Sequence, residues 1–268
     1  MLRAVHQLTD QMPKILDDPV TWQLLNPSII HQIRTDPTRF QTSQALALRA
    51  HVVIRSRYAE DRLAEALSRG IRQYILLGAG LDTFPYRQPQ WAQALRIFEV
   101  DQPASQGEKR ARLQKAGLSI PANVEFVPID FEHTPVEQGL RASSFDPGLP
   151  TFVSWLGVMV YLSQAAVEDV FRFAVSLPPA SEIVFTFSQP LPRSRANRVT
   201  PTLAERAASH GEPWKMFITP QALARHLLEL GFSSVIVPTP DEINARYIGQ
   251  RQDGLHASPR ATLASAVI

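Results

Sequence analysis

Apolar residues follow two rhythms in this chain. Between residues 72 and 240, short unbroken apolar runs alternate with stretches in which apolar residues recur every three or four positions. The unbroken runs are QYILLGAG, LRIFEVDQP, VEFVPIDFE, TFVSWLGVMVYL, SEIVFTFSQP and FSSVIVPT. Runs of this kind suit strands buried on both faces of a parallel sheet. The intervals carry helix signals. Ser163 can cap AAVEDVFRFAVSL, and Thr219 with Pro220 opens PQALARHLLEL, which turns Leu223, Leu227 and Leu230 to one face before stopping at Gly231. Upstream, YAEDRLAEALSR over residues 58–69 sets Leu63, Ala66 and Leu67 on one face and ends at Gly70. The first fifty residues, broken at Pro19 and Pro27, predict short helices joined by turns. The expected architecture is one α/β domain with a mostly parallel, doubly wound sheet and helices on both faces. A helical cap spans 1–70, a ligand-binding core 71–189, a loop 190–215, and the rest of the core 216–268.

Composition narrows the function classes. A length of 268 residues with 44% hydrophobic and 19% charged residues is that of an ordinary globular chain. The net charge is +2, and the densest basic group, Arg193, Arg195 and Arg198, lacks interleaved aromatics, so nucleic acid is not indicated as a partner. Without cysteine there is no disulfide, thiolate metal site or cysteine nucleophile. The seven histidines form no recognisable constellation, and no metal is expected. The sequence contains no apolar run of membrane-spanning length and opens without a signal-peptide pattern, which predicts a cytoplasmic protein with no membrane partner.

In a doubly wound sheet, ligands bind beyond the carboxyl ends of the strands, and polar candidates stand there. Gly78, Ala79 and Gly80 end the first strand, where missing side chains let backbone approach a nucleotide. Asp101 ends the second strand in FEVD and can accept both hydroxyls of a ribose; Glu99, two positions earlier on the same face, competes for that role. Asp130 and Phe131 end the third strand, where an acid and an aromatic can hold and cover an adenine. A nicotinamide cofactor fits less well, because Thr83 occupies the place of the third glycine of GxGxxG.

Taken together, LLGAGLDTFPYR, FEVDQP with Lys109 downstream, and SWLGVMVYLS resemble the leucine carboxyl methyltransferase family and its bacterial S-adenosylmethionine-dependent branch. The resemblance extends to RAVHQ near the start, RSRYAED, GEPW at 211–214 and YIGQRQDGL near the end. It implies a class I, Rossmann-like methyltransferase fold and S-adenosylmethionine as cofactor. It also implies that Arg55 pairs with the methionine carboxylate, with Arg57 the alternative. Gly78 and Gly80 would form the glycine loop, Asp101 would bind ribose, and Asp130 with Phe131 would bind adenine. One position departs from the pattern. Leu156 stands where the eukaryotic members have a glutamate for the cofactor's ammonium, so that group must find backbone carbonyls or another acid.

The resulting expectation is methylation of a carboxylate or hydroxyl on a small molecule. Transfer of a methyl from a sulfonium needs alignment and exclusion of water more than it needs catalytic side chains. Tyr161, at the end of the fourth strand, and Trp214, in a Pro-rich segment expected to act as a lid over 190–215, are the acceptor-side candidates. A non-catalytic cofactor-binding protein and a nicotinamide oxidoreductase are the rival readings.

Overall fold

All six apolar runs form strands of one sheet, and a further strand joins them. They are β1 (Gln73–Leu77), β2 (Arg96–Asp101), β3 (Val124–Pro128), β4 (Thr151–Trp155), β5 (Glu182–Ser188) and β6 (Ser234–Ile236), with β7 (Ala261–Val267) last in the chain. The computed structural model describes residues 1–190, 213–258 and 261–268, together with Glu205, Ala208, Ser209 and Gly211. Strand order is β3-β2-β1-β4-β5-β7-β6. The chain leaves β1 to one side for β2 and β3, then returns to place β4 on its other side, all in parallel. That reversal opens a crevice between the carboxyl ends of β1 and β4. All residues of β1 and β4 are buried, which is why both read as uninterrupted apolar runs.

β7 was not anticipated as a strand. It inserts between β5 and β6 and runs antiparallel to both. Its sequence, ATLASAV, is built largely of small residues, and Ala264 and Ala266 are fully buried where larger side chains would not fit between packed layers.

Helices cover both faces. They are α1 (Leu2–Thr9), α2 (Pro27–Thr35), α3 (Ser43–Ser68), α4 (Pro103–Lys115), α5 (Val136–Leu140), α6 (Gln164–Val175), α7 (Pro220–Leu230) and α8 (Pro240–Ile243). Ser163 caps α6 and Thr219 caps α7, each accepting from a backbone N–H in the first turn. Gly231 ends α7 in the left-handed region at φ 115°. The cap helix α3 runs much further upstream than the predicted 58–69, starting at Ser43. Alternate strand residues build two cores. Ile75, Phe98, Trp155 and Phe171 pack on one face, and Tyr74, Leu76, Phe152 and Val184 pack with Val53, Ile54 and Leu63 of α3 on the other.

Buried ion pairs fasten α3 at two points. Toward its start, Arg49 donates from Nε and Nη2 to both oxygens of Asp10, at 2.8 and 2.7 Å, and from Nη1 to the Phe40 carbonyl. His6 Nδ1 lies 2.7 Å from the same carboxylate. Toward its end, Arg62 and Arg69 hold the fully buried Glu182 at the start of β5, at 2.6 and 2.7 Å. Motifs far apart in sequence also meet. Tyr247 and Arg246 reach Asp61, and Arg251 binds carbonyls at Gln11 and Pro13.

The Arg49–Asp10 pair yields a stability prediction. Burial acts to raise the Asp10 pKa, but the hydrogen bonds from His6 and Arg49 together with their charges outweigh it and hold the group below its ordinary value. A depressed carboxylate contributes stability that is present above its unfolded pKa of about 3.9 and disappears as pH falls through the lower folded value. Asp10→Asn strands a buried guanidinium and should cost about 3–5 kcal/mol. Denaturant titration at pH 7 measures that loss. The same titration near pH 3 should find the gap between parent and variant reduced.

Candidate active site

A cavity of about 380 Å³ lies over the carboxyl ends of β1 and β4. Its floor is the β1 end and the loop after it, from Leu76 to Asp82; Ser154 and Leu156 supply the β4 side, and Arg3, Val52 and Arg55 come from the helical cap. Of the residues singled out in the sequence, Arg55, Gly78, Ala79, Gly80 and Leu156 therefore share one cavity.

Two glycines make this geometry possible. Gly78 has φ 65°, and a β-carbon there would fall 2.2 Å from Val158 Cγ2, so the loops after β1 and β4 touch only because the side chain is absent. Gly157 has φ 79°, and its β-carbon would sit 2.5 Å from Arg55 Nη1. The guanidinium thus lies directly on the backbone of the β4 loop. Gly157 follows Leu156 in SWLGVMV and was passed over in the sequence, where nothing marked it as the seat of an arginine 102 residues away.

The two arginines of the cavity differ in their partners. Arg3 donates to Asp82 at 2.8 Å and to Ser56 and Thr83, with Asp18 at 3.6 Å. Asp82 is held well below the usual carboxylate range: its burial is outweighed by Arg3, with Arg87 and Lys109 adding to the effect. Arg55, in contrast, makes no salt bridge among the described residues, and its buried Nε has no hydrogen-bond partner. Burial, and next the charge of Arg3, pull its pKa down to about 10, with Asp82 and Tyr161 opposing. It remains a cation at neutral pH, without a salt-bridge partner among the described residues. Arg57 points elsewhere, paired with Asp61 on the exposed side of α3. Thr83, at the third-glycine place, uses its hydroxyl to donate to the buried Asp18 at 2.7 Å.

Asp101 stands at the end of β2 beside this cavity, although it is not part of its wall. Its two oxygens accept from the backbone N–H groups of Gly80 and Gln102, at 2.6 and 2.7 Å, so it braces the glycine loop while keeping lone pairs for a ligand. Glu99 is fully buried in an ion pair with Lys109 at 2.7 Å, remote from solvent. Beyond β3, Asp130 is partly exposed and closes its own turn, accepting from the Glu132 N–H with His133 at 3.0 Å; Phe131 is buried in the sheet core.

A second cavity, of about 250 Å³, opens beyond β5, and Arg55 lines it as it lines the first. Its wall includes His51, one helical turn before Arg55, a residue the sequence left in no constellation. Neither Tyr161 nor Trp214 lines either cavity. Trp214 stacks obliquely near Phe217 at 6.1 Å, and Lys215 next to it bonds Glu132 at 2.8 Å. The greater part of the expected lid, 190–215, lies outside the described residues. Among the described residues, no helix is long and apolar enough to cross a membrane.

Comparison with known proteins gives the family and the fold. The family model described as leucine carboxyl methyltransferase matches residues 1–175. A Bacillus subtilis protein, YktD, provisionally named an S-adenosyl-L-methionine-dependent methyltransferase, is 35% identical over 87% of this chain and 77% of its own. A similarly named Mycobacterium marinum protein is 31% identical over 74% of this chain, which spans 65% of that relative. Among solved structures, a Thermobifida fusca protein provisionally described as a methyltransferase superposes with a TM-score of 0.57 at 22% identity, over 82% of each chain. A duf574 family protein from Streptomyces avermitilis superposes at 0.55 and 17% identity, over 99% of this chain and 96% of that one. The two structural likenesses establish the shared α/β fold, and the family match over more than half of the sequence, together with the Bacillus relative, shows that the chain belongs to the leucine carboxyl methyltransferase family.

Proposed function

We propose that the chain is an S-adenosylmethionine-dependent methyltransferase acting on the oxygen of a small molecule, a carboxylate or a hydroxyl. The observation that carries this reading is Arg55: a half-buried cation whose buried Nε is unpartnered and which makes no salt bridge among the described residues, set on Gly157 at the crevice between β1 and β4. A guanidinium in that position calls for a carboxylate, and the methionine end of the cofactor supplies one. Gly78 to Gly80 leave room for the backbone to approach the rest of the molecule, and Asp101 is placed to receive the ribose hydroxyls. The adenine end then extends toward Asp130 and Phe131 beyond β3.

The ammonium is the group with the least obvious partner. With leucine at position 156, the cavity's acid is Asp82, already engaged by Arg3, so the ammonium is left to strand-end carbonyls and to Asp82 across that ion pair. When bound, the cofactor supplies the electrophilic methyl group. The protein aligns the acceptor with it and shields it from water.

Calorimetric titration with S-adenosylhomocysteine tests the assignment. Asp101→Ala should weaken binding by about 1.5–3 kcal/mol for each charge-assisted bond lost. Unchanged affinity would remove Asp101 from the site.

The arginine seat gives a paired test. Arg55→Lys should bind at least about tenfold more weakly, because a point charge lacks the planar fork. Gly157→Ala, which leaves every proposed contact residue in place but forces the guanidinium off its seat, should weaken binding in the same direction. Arg57→Lys should bind as the parent does. A loss confined to Arg57→Lys would show the wrong arginine to have been chosen.

A further inference from the structure

The second cavity lies at the same edge of the sheet as the first. It is bounded by α3, by Gln189 just past β5, by the start of α7 and by Thr262 and Leu263 of β7. Because β7 runs antiparallel, its first residues come to the edge where β5 ends. Arg55 is the one described residue that lines both cavities. A methyl donor in the first and an acceptor in the second would meet beside it.

We propose that this second cavity is the acceptor site and that it receives a hydroxyl, alcoholic or phenolic, carried on a small apolar body, with His51 taking the proton. The inference rests on the cofactor reading above, in which Arg55 is neutralised by the methionine carboxylate. Three features carry it.

The first is charge. Arg55 is the only charged residue among the described ones that line the cavity. Once it is paired, the described wall residues offer a carboxylate acceptor no second cation and an ammonium no acid, and a buried charge without a partner is strongly disfavoured. A hydroxyl brings no charge. The second feature is the wall, where Ile54, Val237, Ile243 and Leu263 offer apolar surface to the body of the ligand.

The third is His51. Residues 51 and 55 are one turn apart on α3, so both project from one face, and both line this cavity. Burial, with the charge of Arg55 adding to it, pushes the His51 pKa down to about 3, so at neutral pH the imidazole is neutral and keeps a lone pair for a hydroxyl proton. The charged group that acts on it is Arg55. From the elements opposite, Gln189, Gln221 and Thr262 bring no charge. Pairing Arg55 with the cofactor carboxylate eases the smaller of the two causes of the depression, while burial, the larger, remains.

The step balances without any further reactant. The acceptor oxygen bonds to the methyl carbon as the carbon–sulfur bond breaks, and that electron pair stays on sulfur, leaving a neutral thioether. The hydroxyl proton passes to His51, and the imidazolium returns it to water. The product is a methyl ether.

The test uses the full chain with ¹⁵N-labelled histidine, saturated with S-adenosylhomocysteine whose binding is first verified by calorimetry. p-Cresol and p-toluate, matched in shape and differing in charge, are titrated separately while the His51 ring signals, assigned with His51→Gln, are followed by NMR. p-Cresol should shift those signals and bind at least about tenfold more tightly than p-toluate. Val237→Phe, which fills the second cavity from its rim, should abolish the response while leaving S-adenosylhomocysteine affinity unchanged. If that variant does not fold, Gln221→Phe on the same wall repeats the test. Equal or tighter binding of p-toluate, a silent His51 with both probes, or a response that survives the filled cavity would each overturn the inference alone. Failure of S-adenosylhomocysteine to bind would instead overturn the cofactor reading, and with it the charge argument used here.

Discussion

A guanidinium that leaves water must meet an anion, because the cost of stranding it exceeds what most single contacts return. Helix α3 turns three such groups inward along its length, and the molecule can be understood through how each is answered. Arg49 is answered by Asp10, which binds the N-terminal helix to the cap, and Arg62 by Glu182, which binds the cap to the sheet. Arg55 lies between them in the same helix and makes no salt bridge among the described residues, its buried Nε left without a hydrogen-bond partner. The two satisfied charges fix the helix, and a fixed helix holds the third over the crevice of the sheet. The described structure thus carries a positive centre that a carboxylate from outside can answer. Two nearby glycines serve that arrangement, one admitting the guanidinium and the other bringing the flanking loops together.

What could be read from the sequence follows from how each element is buried. Strands β1 and β4 are covered on both faces and so declare themselves as apolar runs, whereas β7 is buried over Thr262–Ala266 but consists mostly of alanines, serine and threonine, and resembles connecting sequence. The upstream half of α3 escaped for another reason. It is packed between the cap and the sheet, and a helix clasped on several sides shows no single apolar stripe. Gly70, Gly231, Ser163 and Thr219 act locally, through caps and stops within a turn of themselves, and these were legible.

Site residues divide along the same line. The glycine loop and Asp101 belong to one strand end each, and spacing alone pointed to them. Choosing Arg55 over Arg57 took the family resemblance, because charge is identical at the two positions; in three dimensions one faces the cavity and the other is exposed and pairs with Asp61. Asp82 lay in full view inside GLDT, but its meaning depends on Arg3, 79 residues earlier. Glu99 shows the converse: a plausible ribose acid by position, it is spent on Lys109 within the core.

The placement of β7 has a consequence for how the chain comes into being. Until residues near 261–267 are available, β5 has no neighbour on that side and exposes a seven-residue apolar edge, with Phe185 and Phe187 on it. Such an edge is a template for pairing with another chain. During synthesis, about eighty residues must follow β5 before its partner arrives, and β6, which emerges first, cannot close the gap without it. A nascent chain therefore passes through a stage in which five of the seven strands can assemble and the growing side is open, the interval in which a molecular chaperone would have most to shield.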